Sequence, residues 1–202
     1  MDQLLEGYRR FRNERLPELR DLYQKLATGQ QNPKCLVIGC CDSRVDPATI
    51  FRAGPGEIFV LRNVANLVPP FNQGAGLHGS GAAIEFACRM LRVKTILVLG
   101  HAQCGGIAAA IDRRIGEGTD FLGPWVDLIK PALARCPANA PDLHAAVERE
   151  SVRVSLERLA EYPFVRDAIE AGELEIRGAL FGVATGTLEL LDGRTGEFHV
   201  VS

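Results

Sequence analysis

The stretch Cys35-Leu36-Val37-Ile38-Gly39-Cys40-Cys41-Asp42-Ser43-Arg44 opens as a continuous apolar run and closes as a cluster of reactive side chains. Its first five residues show no alternation and are set off upstream by Gly29 and Pro33. That pattern reads as a strand buried on both faces, the habit of a parallel sheet. Two runs of the same kind lie further on, Glu57-Ile58-Phe59-Val60-Leu61 and Thr95-Ile96-Leu97-Val98-Leu99. The last also ends in polar chemistry, Gly100-His101-Ala102-Gln103-Cys104-Gly105-Gly106. In open parallel sheets functional groups collect just beyond the carboxyl ends of strands, so these two ends are expected to share one site.

Between and after the runs the chain reads as helix. A Gly-rich loop leads into Ser80–Leu91, where Ala82, Ala83, Phe86, Ala87 and Met90 suit burial. Residues 104–115 form another helix, opened by Gly105 and Gly106, and residues 120–171 a helical region broken by Pro131, Pro137, Pro141 and Pro163. Residues 174–183 and 187–191 read as strands, Asp192-Gly193 as a turn, and residues 197–201 as a last strand. Strands alternating with helices predict an α/β fold, a single domain whose mainly parallel central sheet is flanked by helices. Ahead of it, Leu16, Leu19, Leu22, Tyr23 and Leu26 recur at helical spacing. We expect an N-terminal helical arm over residues 1–30 and the α/β domain over residues 31–202. The arm's apolar stripe needs a surface, and its own sheet and a partner subunit serve equally well.

With 47% hydrophobic and 24% charged residues among 202, disorder and collagen-like repeats are excluded. Lys and Arg number 23 against 25 Asp and Glu, a net charge of −2, which gives no drive towards nucleic acid or an anionic membrane surface. The longest stretch free of charged residues, Asn63–Ile84, is studded with Asn, Gln, Gly and Pro and cannot span a membrane. The N-terminus lacks an apolar secretory segment, so a soluble cytoplasmic protein is expected. In that setting six cysteines point to metal or catalytic use rather than to disulfides.

If residues 40–44 stay extended, Cys40, Asp42 and Arg44 share one face, with Cys41 and Ser43 on the other. His101 and Cys104 fit one turn leading into a helix. Two thiolates and an imidazole then meet beside a carboxylate and a guanidinium. A Cys2His set leaves zinc a fourth position for water, whereas a structural zinc takes four protein ligands. Spacing alone also admits a structural metal; the strand-end placement and the Asp-x-Arg beside Cys40 favour a catalytic one. Asp42 can accept the proton of a metal-bound hydroxide, and Arg44 can hold Asp42 off the metal.

Cys40-Cys41-Asp42-Ser43-Arg44-Val45 together with Gly100-His101-Ala102-Gln103-Cys104-Gly105-Gly106 resembles the β-class carbonic anhydrases, whose pattern is Cys-Ser-Asp-Ser-Arg followed by His-x-x-Cys-Gly-Gly. Residues 62–70 and 81–87 look like the plant-type branch, and the likeness runs from Gln31 to about Leu191. The resemblance implies one Zn2+ per chain on Cys40, His101 and Cys104, with Asp42 and Arg44 as the catalytic dyad. It also implies substrate contacts at Gln31, Phe59, Val64 and Phe86, the last often Tyr in relatives. Backbone N–H groups near Gly105 and Gly106 would steady bicarbonate at a helix N-terminus.

The implied reaction is reversible hydration of CO2 to bicarbonate and a proton by zinc hydroxide. Zinc brings the pKa of its water to roughly 7, an effect for which carbonic anhydrases are the standard example. A CS2 or COS hydrolase on the same site is the close alternative. A zinc-stabilised scaffold without turnover is the other; its mark would be loss of Asp42 or Arg44, and both are present. The resemblance further implies self-association as dimers or multiples of dimers, with pockets at the subunit interface.

Two departures stand out. Cys41 replaces the usual Ser and reads as a small buried residue facing away from the metal. Val37 stands where one branch carries a Trp that favours a closed form with Asp on the zinc, so Asp42 is expected to remain with Arg44. Elsewhere Cys35 and Cys88 read as core residues, Cys136 as a loop thiol and Trp125 as a packing anchor. His78 is a candidate proton carrier at the pocket entrance. Arg149, Arg153, Glu157 and Arg158 read as a solvated helix face.

Overall fold

The computed structural model describes residues 1–29, 31–71, 78–112 and 119–201. In chain order its elements are α1 (Asp2–Arg10), α2 (Leu16–Thr28), β1 (Cys35–Cys40), α3 (Pro47–Ile50), β2 (Ile58–Asn63), α4 (Gly79–Glu85) and β3 (Thr95–His101). There follow α5 (Gly105–Ile111), α6 (Leu122–Val126), α7 (Lys130–Arg135), α8 (Leu143–Glu161), α9 (Pro163–Glu170), β4 (Glu175–Phe181), β5 (Leu188–Leu191) and β6 (Phe198–Val200). Short π-helical runs, Phe11–Arg15 and Phe86–Leu91, join α1 to α2 and extend α4. The Gly-rich loop ahead of Ser80 and the end of the helix expected to reach Ile115 lie outside the described residues.

The six strands lie in the order β2-β1-β3-β4-β5-β6. The first four are parallel, and β5 and β6 run antiparallel at one edge. The expected α/β fold is therefore borne out, with the antiparallel edge as the refinement. Leu36, Val37 and Ile38 are at most 1% exposed. Both faces of β1 are covered, and that is why the strand shows no alternation. Cys35 stands opposite both Ile58 and Thr95, and Gly39 opposite both Arg62 and Leu99, so β1 and β3 finish level with each other.

Helix α8 lies across β3 and β4. A Cβ at Gly100 would sit 2.7 Å from Val152 Cγ2, so the close approach of helix to strand requires glycine there. The expectation of a solvated charged face holds for Glu157, whose side chain is 54% exposed, and fails for Arg158; Arg149 and Arg153 are half-buried. Arg158 is buried and donates to the carbonyls of Val68 and Leu128, each at 3.0 Å. Burial pulls its pKa below the usual guanidinium value, and the two carbonyls satisfy the cation. Arg149 grips both carboxylate oxygens of Glu189 at 2.9 Å, while Arg135 links Glu150 and Glu157. Periodicity assigns these charges to water; the carbonyls of Val68 and Leu128 and the carboxylate of Glu189 on β5 supply acceptors to Arg158 and Arg149 instead.

The arm does the reverse. No residue of α1 or α2 is buried, and Leu4 and Tyr8 are 74% and 57% exposed. Leu26 touches its own domain at Gly56, but the rest of the stripe is not covered by the sheet. Cys41 is exposed, not buried as expected. Cys35 and Cys88 are half-buried against the core, and burial pushes both thiols up to about 11. Cys136 caps the end of α7. Among the described residues no helix is long and apolar enough to cross a membrane.

Candidate metal centre

Cys40 is the last residue of β1, His101 the last of β3, and Cys104 precedes α5. The level ends of the two strands bring their ligand atoms within 4.8 Å of one another, all three buried. His101 Nδ1 lies 3.0 Å from the Ala102 carbonyl. A carbonyl only accepts, so Nδ1 carries the hydrogen and Nε2 presents its lone pair. That Nε2 is buried and has no hydrogen-bond partner. An orphaned nitrogen between two sulfurs is a fitting donor set for a borderline-soft cation.

The Cys40 thiol is lowered to about 4, chiefly by the adjacent Cys104 thiol, with His101 and the N–H groups of Asp42 and Ala65 adding to it against burial. Cys104 moves in the opposite direction, chiefly because of Cys40 beside it. Asp42 N–H points at Cys40 Sγ at 3.4 Å, and Ala65 N–H at 3.3 Å. Ala65 reaches the sulfur through a left-handed backbone, φ 63°, a conformation that costs a residue with a Cβ on the order of 1 kcal/mol. Close against it, a Cβ on Gly106 would meet Ala65 Cβ and Val64 Cγ1 at 3.0 Å. The glycine lets α5 and this turn converge on the sulfurs.

Beside the cluster, Arg44 Nε donates to Asp42 Oδ1 at 2.9 Å and Nη2 to Oδ2 at 2.7 Å. The guanidinium holds the Asp42 carboxyl well below the usual carboxylate range. Arg44 Nη2 also reaches the Gln103 carbonyl at 3.1 Å. Arg62 straps the same loop, donating to the carbonyls of Cys40 at 2.8 Å and Asp42 at 2.7 Å. Glu148, on α8, accepts the N–H of Cys104 at 2.9 Å. Neither Arg62 nor Glu148 is singled out by spacing. Arg62 opens the 62–70 stretch that resembles the plant-type branch; Glu148 carries no signal beyond being one more charge on a charged helix.

Next to Cys40, which pairs with Asn63, a cavity of about 530 Å³ is lined by Asn63, Val64, Pro69, His78, Gly79, Ser80, Phe121, Leu122 and Trp125. Trp125 Nε1 donates to the Val64 carbonyl at 2.9 Å, so the indole both anchors packing and forms a wall. Of the four side chains expected around substrate, Val64 alone lines this space. Phe59 and Phe86 do meet, with ring centroids 5.8 Å apart and planes at 30°. Phe59, however, stands opposite Leu36, four residues short of Cys40, about 13 Å along the strand. Gln31, ahead of β1, and Phe86 are exposed. One chain does not gather these three at the cluster.

The sequence model of the family described as "Carbonic anhydrase" matches residues 35–188. The chain is 37% identical to "Beta carbonic anhydrase 3" of Arabidopsis thaliana over 206 residues, covering 96% of this chain and 79% of the plant protein. The chain belongs to the β-carbonic anhydrase family. The solved structure of the β-carbonic anhydrase CcaA superposes with a TM-score of 0.90 at 30% identity, covering 100% of this chain and 99% of that one. A β-carbonic anhydrase of Sordaria macrospora, from a study of two tetrameric enzymes, matches with a TM-score of 0.72 at 30% identity, covering 94% and 92%. As a β-carbonic anhydrase the chain is an enzyme of the lyase class, and its Cys-His-Cys cluster is a site that could hold a metal ion.

Proposed function

We propose that the protein catalyses zinc-dependent, reversible hydration of CO2 to bicarbonate and a proton, with one zinc per chain on Cys40, His101 and Cys104. The observation that carries this reading is the buried, unpartnered His101 Nε2 facing two sulfurs, beside a carboxylate whose two oxygens are both held by Arg44. Zinc there would supply, from water at neutral pH, the nucleophile that attacks CO2. Asp42 stays ionised in the grip of Arg44, accepts the proton of the attacking oxygen and so orients its lone pair. That grip also keeps Asp42 off the metal, in line with the absence of a Trp at Val37. Gly106 N–H is already turned on the Cys104 sulfur, which leaves Gly105 N–H to steady a bicarbonate oxygen.

The substrate wall needs a second copy. Val64 belongs to the chain that owns the metal, whereas Gln31, Phe59 and Phe86 lie exposed or displaced along β1 and β2, and the arm over residues 1–30 leaves its stripe uncovered. A dimer that wraps this arm around its neighbour brings the partner's Gln31, Phe59 and Phe86 to the cluster. We take the dimer, or a multiple of it, as the working unit.

Elemental analysis and a CO2-hydration assay on the purified protein test the proposal together. One zinc per chain is expected, and Cys104→Ser should lose most of the zinc and most of the activity. Full zinc and full activity in that variant would remove His-x-x-Cys from the site.

A further inference from the structure

Among the described residues, Glu148 is the one carboxylate buried beside the metal cluster that the reaction above does not use, and it is 4% exposed. Its Oε1 accepts the N–H of Cys104 at 2.9 Å. The carbonyl of Gln103 accepts from Arg44 Nη2 at 3.1 Å. The N–H of Cys104 and the C=O of Gln103 belong to the same peptide unit. That unit is planar and trans, so its two polar ends point in opposite directions. Whatever grips the N–H end therefore aims the C=O end.

We propose that Glu148 is a positioning residue for Arg44, acting from α8 through the single peptide that joins Gln103 to Cys104. Three features of the link support this. Gln103 is held left-handed at φ 58°, a conformation that a side-chain-bearing residue keeps only where its surroundings over-determine it. A backbone N–H held by a buried side chain calls for an acceptor with no hydrogens of its own, and a carboxylate oxygen is such an acceptor, whereas an amide brings an NH2 as well. A negative charge on the N–H end also polarises the peptide, so the Gln103 oxygen becomes a better acceptor for the guanidinium. The chain of contacts runs from Glu148 to the 103–104 peptide, to Arg44, to Asp42.

The inference rests on the proposed role of the Asp42–Arg44 pair, and its test separates the two. Glu148→Gln keeps the volume, removes the charge and brings an NH2 beside the Cys104 N–H. In the zinc-loaded full chain this variant should keep its zinc and its melting temperature while kcat/KM for CO2 hydration falls about tenfold, the loss of one charge-assisted hydrogen bond. In an Arg44→Ala background the same change should cost less than about twofold, because the partner it positions is gone. The Arg44 Nε–H resonance in NMR should shift in Glu148→Gln, a readout independent of turnover. Undiminished activity, an equal loss in both backgrounds, or zinc loss that accounts for the fall would each overturn the proposal. Should Glu148→Gln fail to fold, Glu148→Asp, which withdraws the carboxylate by one methylene, enters the same cycle. If the unsubstituted, zinc-loaded protein hydrates no CO2, the reading of the dyad falls, while the Arg44 resonance still decides whether Glu148 positions it.

Discussion

At the carboxyl ends of β1 and β3 the molecule is finished; along β2, the Phe86–Leu91 turn and the N-terminal arm it is not. In the first region Cys40, His101 and Cys104 are 5% exposed or less, and nearly every polar group around them is bonded within the chain. In the second, Leu4, Met90 and Phe86 are 74%, 70% and 42% exposed, an apolar surface of the kind that marks an interaction site. The difference separates two demands of one reaction. Holding a metal and a proton acceptor needs fixed polar geometry, which one chain can supply from two strand ends. Excluding water from a small apolar substrate needs enclosure, and in the proposed dimer enclosure falls to a neighbour.

Deleting residues 1–27 presses hardest on that contrast. Association and CO2 hydration should both be lost, by more than about tenfold, while zinc stays bound, because the metal ligands belong wholly to the finished region. Sedimentation and elemental analysis on one sample read both; a fully active monomer at micromolar concentration would erase the distinction. Gly106→Ala tests the finished region from inside. The new Cβ meets Ala65 and Val64, so stability should fall by about 1–3 kcal/mol, seen as a lower urea midpoint, with weaker zinc retention. A neutral result would mean that the turn carrying Ala65 yields. Cys41→Ser marks the edge of that region and should do least. Its exposed side chain predicts a stability change within about 0.5 kcal/mol, with zinc content and rate unchanged.

What the sequence reveals and what it hides follow the same line. Burial on both faces removes alternation, so Cys35–Gly39 and Thr95–Leu99 announce themselves as parallel strands, and their polar sequels bring Cys40, His101 and Cys104 together without further information. The charges of α8 are hidden because a charged helix is read as wet. Whether Glu148 and Arg158 go inside depends on where Cys104, Val68 and Leu128 place their backbone groups, and those lie far off in the chain. The stripe of the arm is legible as a stripe, but the stripe itself does not say what covers it, and none of its residues is buried in the single chain. Phe59 and Phe86 are picked out by resemblance, yet no linear pattern shows that Phe59 stands opposite Leu36, about 13 Å along the strand from Cys40.

Arg158 has a consequence in time. Its bond to Val68 closes a separation of 90 positions and its bond to Leu128 one of 30. Closing so long a loop costs entropy before any contact can offset it, so these bonds are expected to form after α8 has met the sheet, which folding and unfolding rates of Arg158→Met would test. An interaction that arrives late weighs on the rate of unfolding more than on the rate of folding. The buried guanidinium is in that sense a latch: it sets how long the folded enzyme lasts, and leaves almost untouched how quickly it forms.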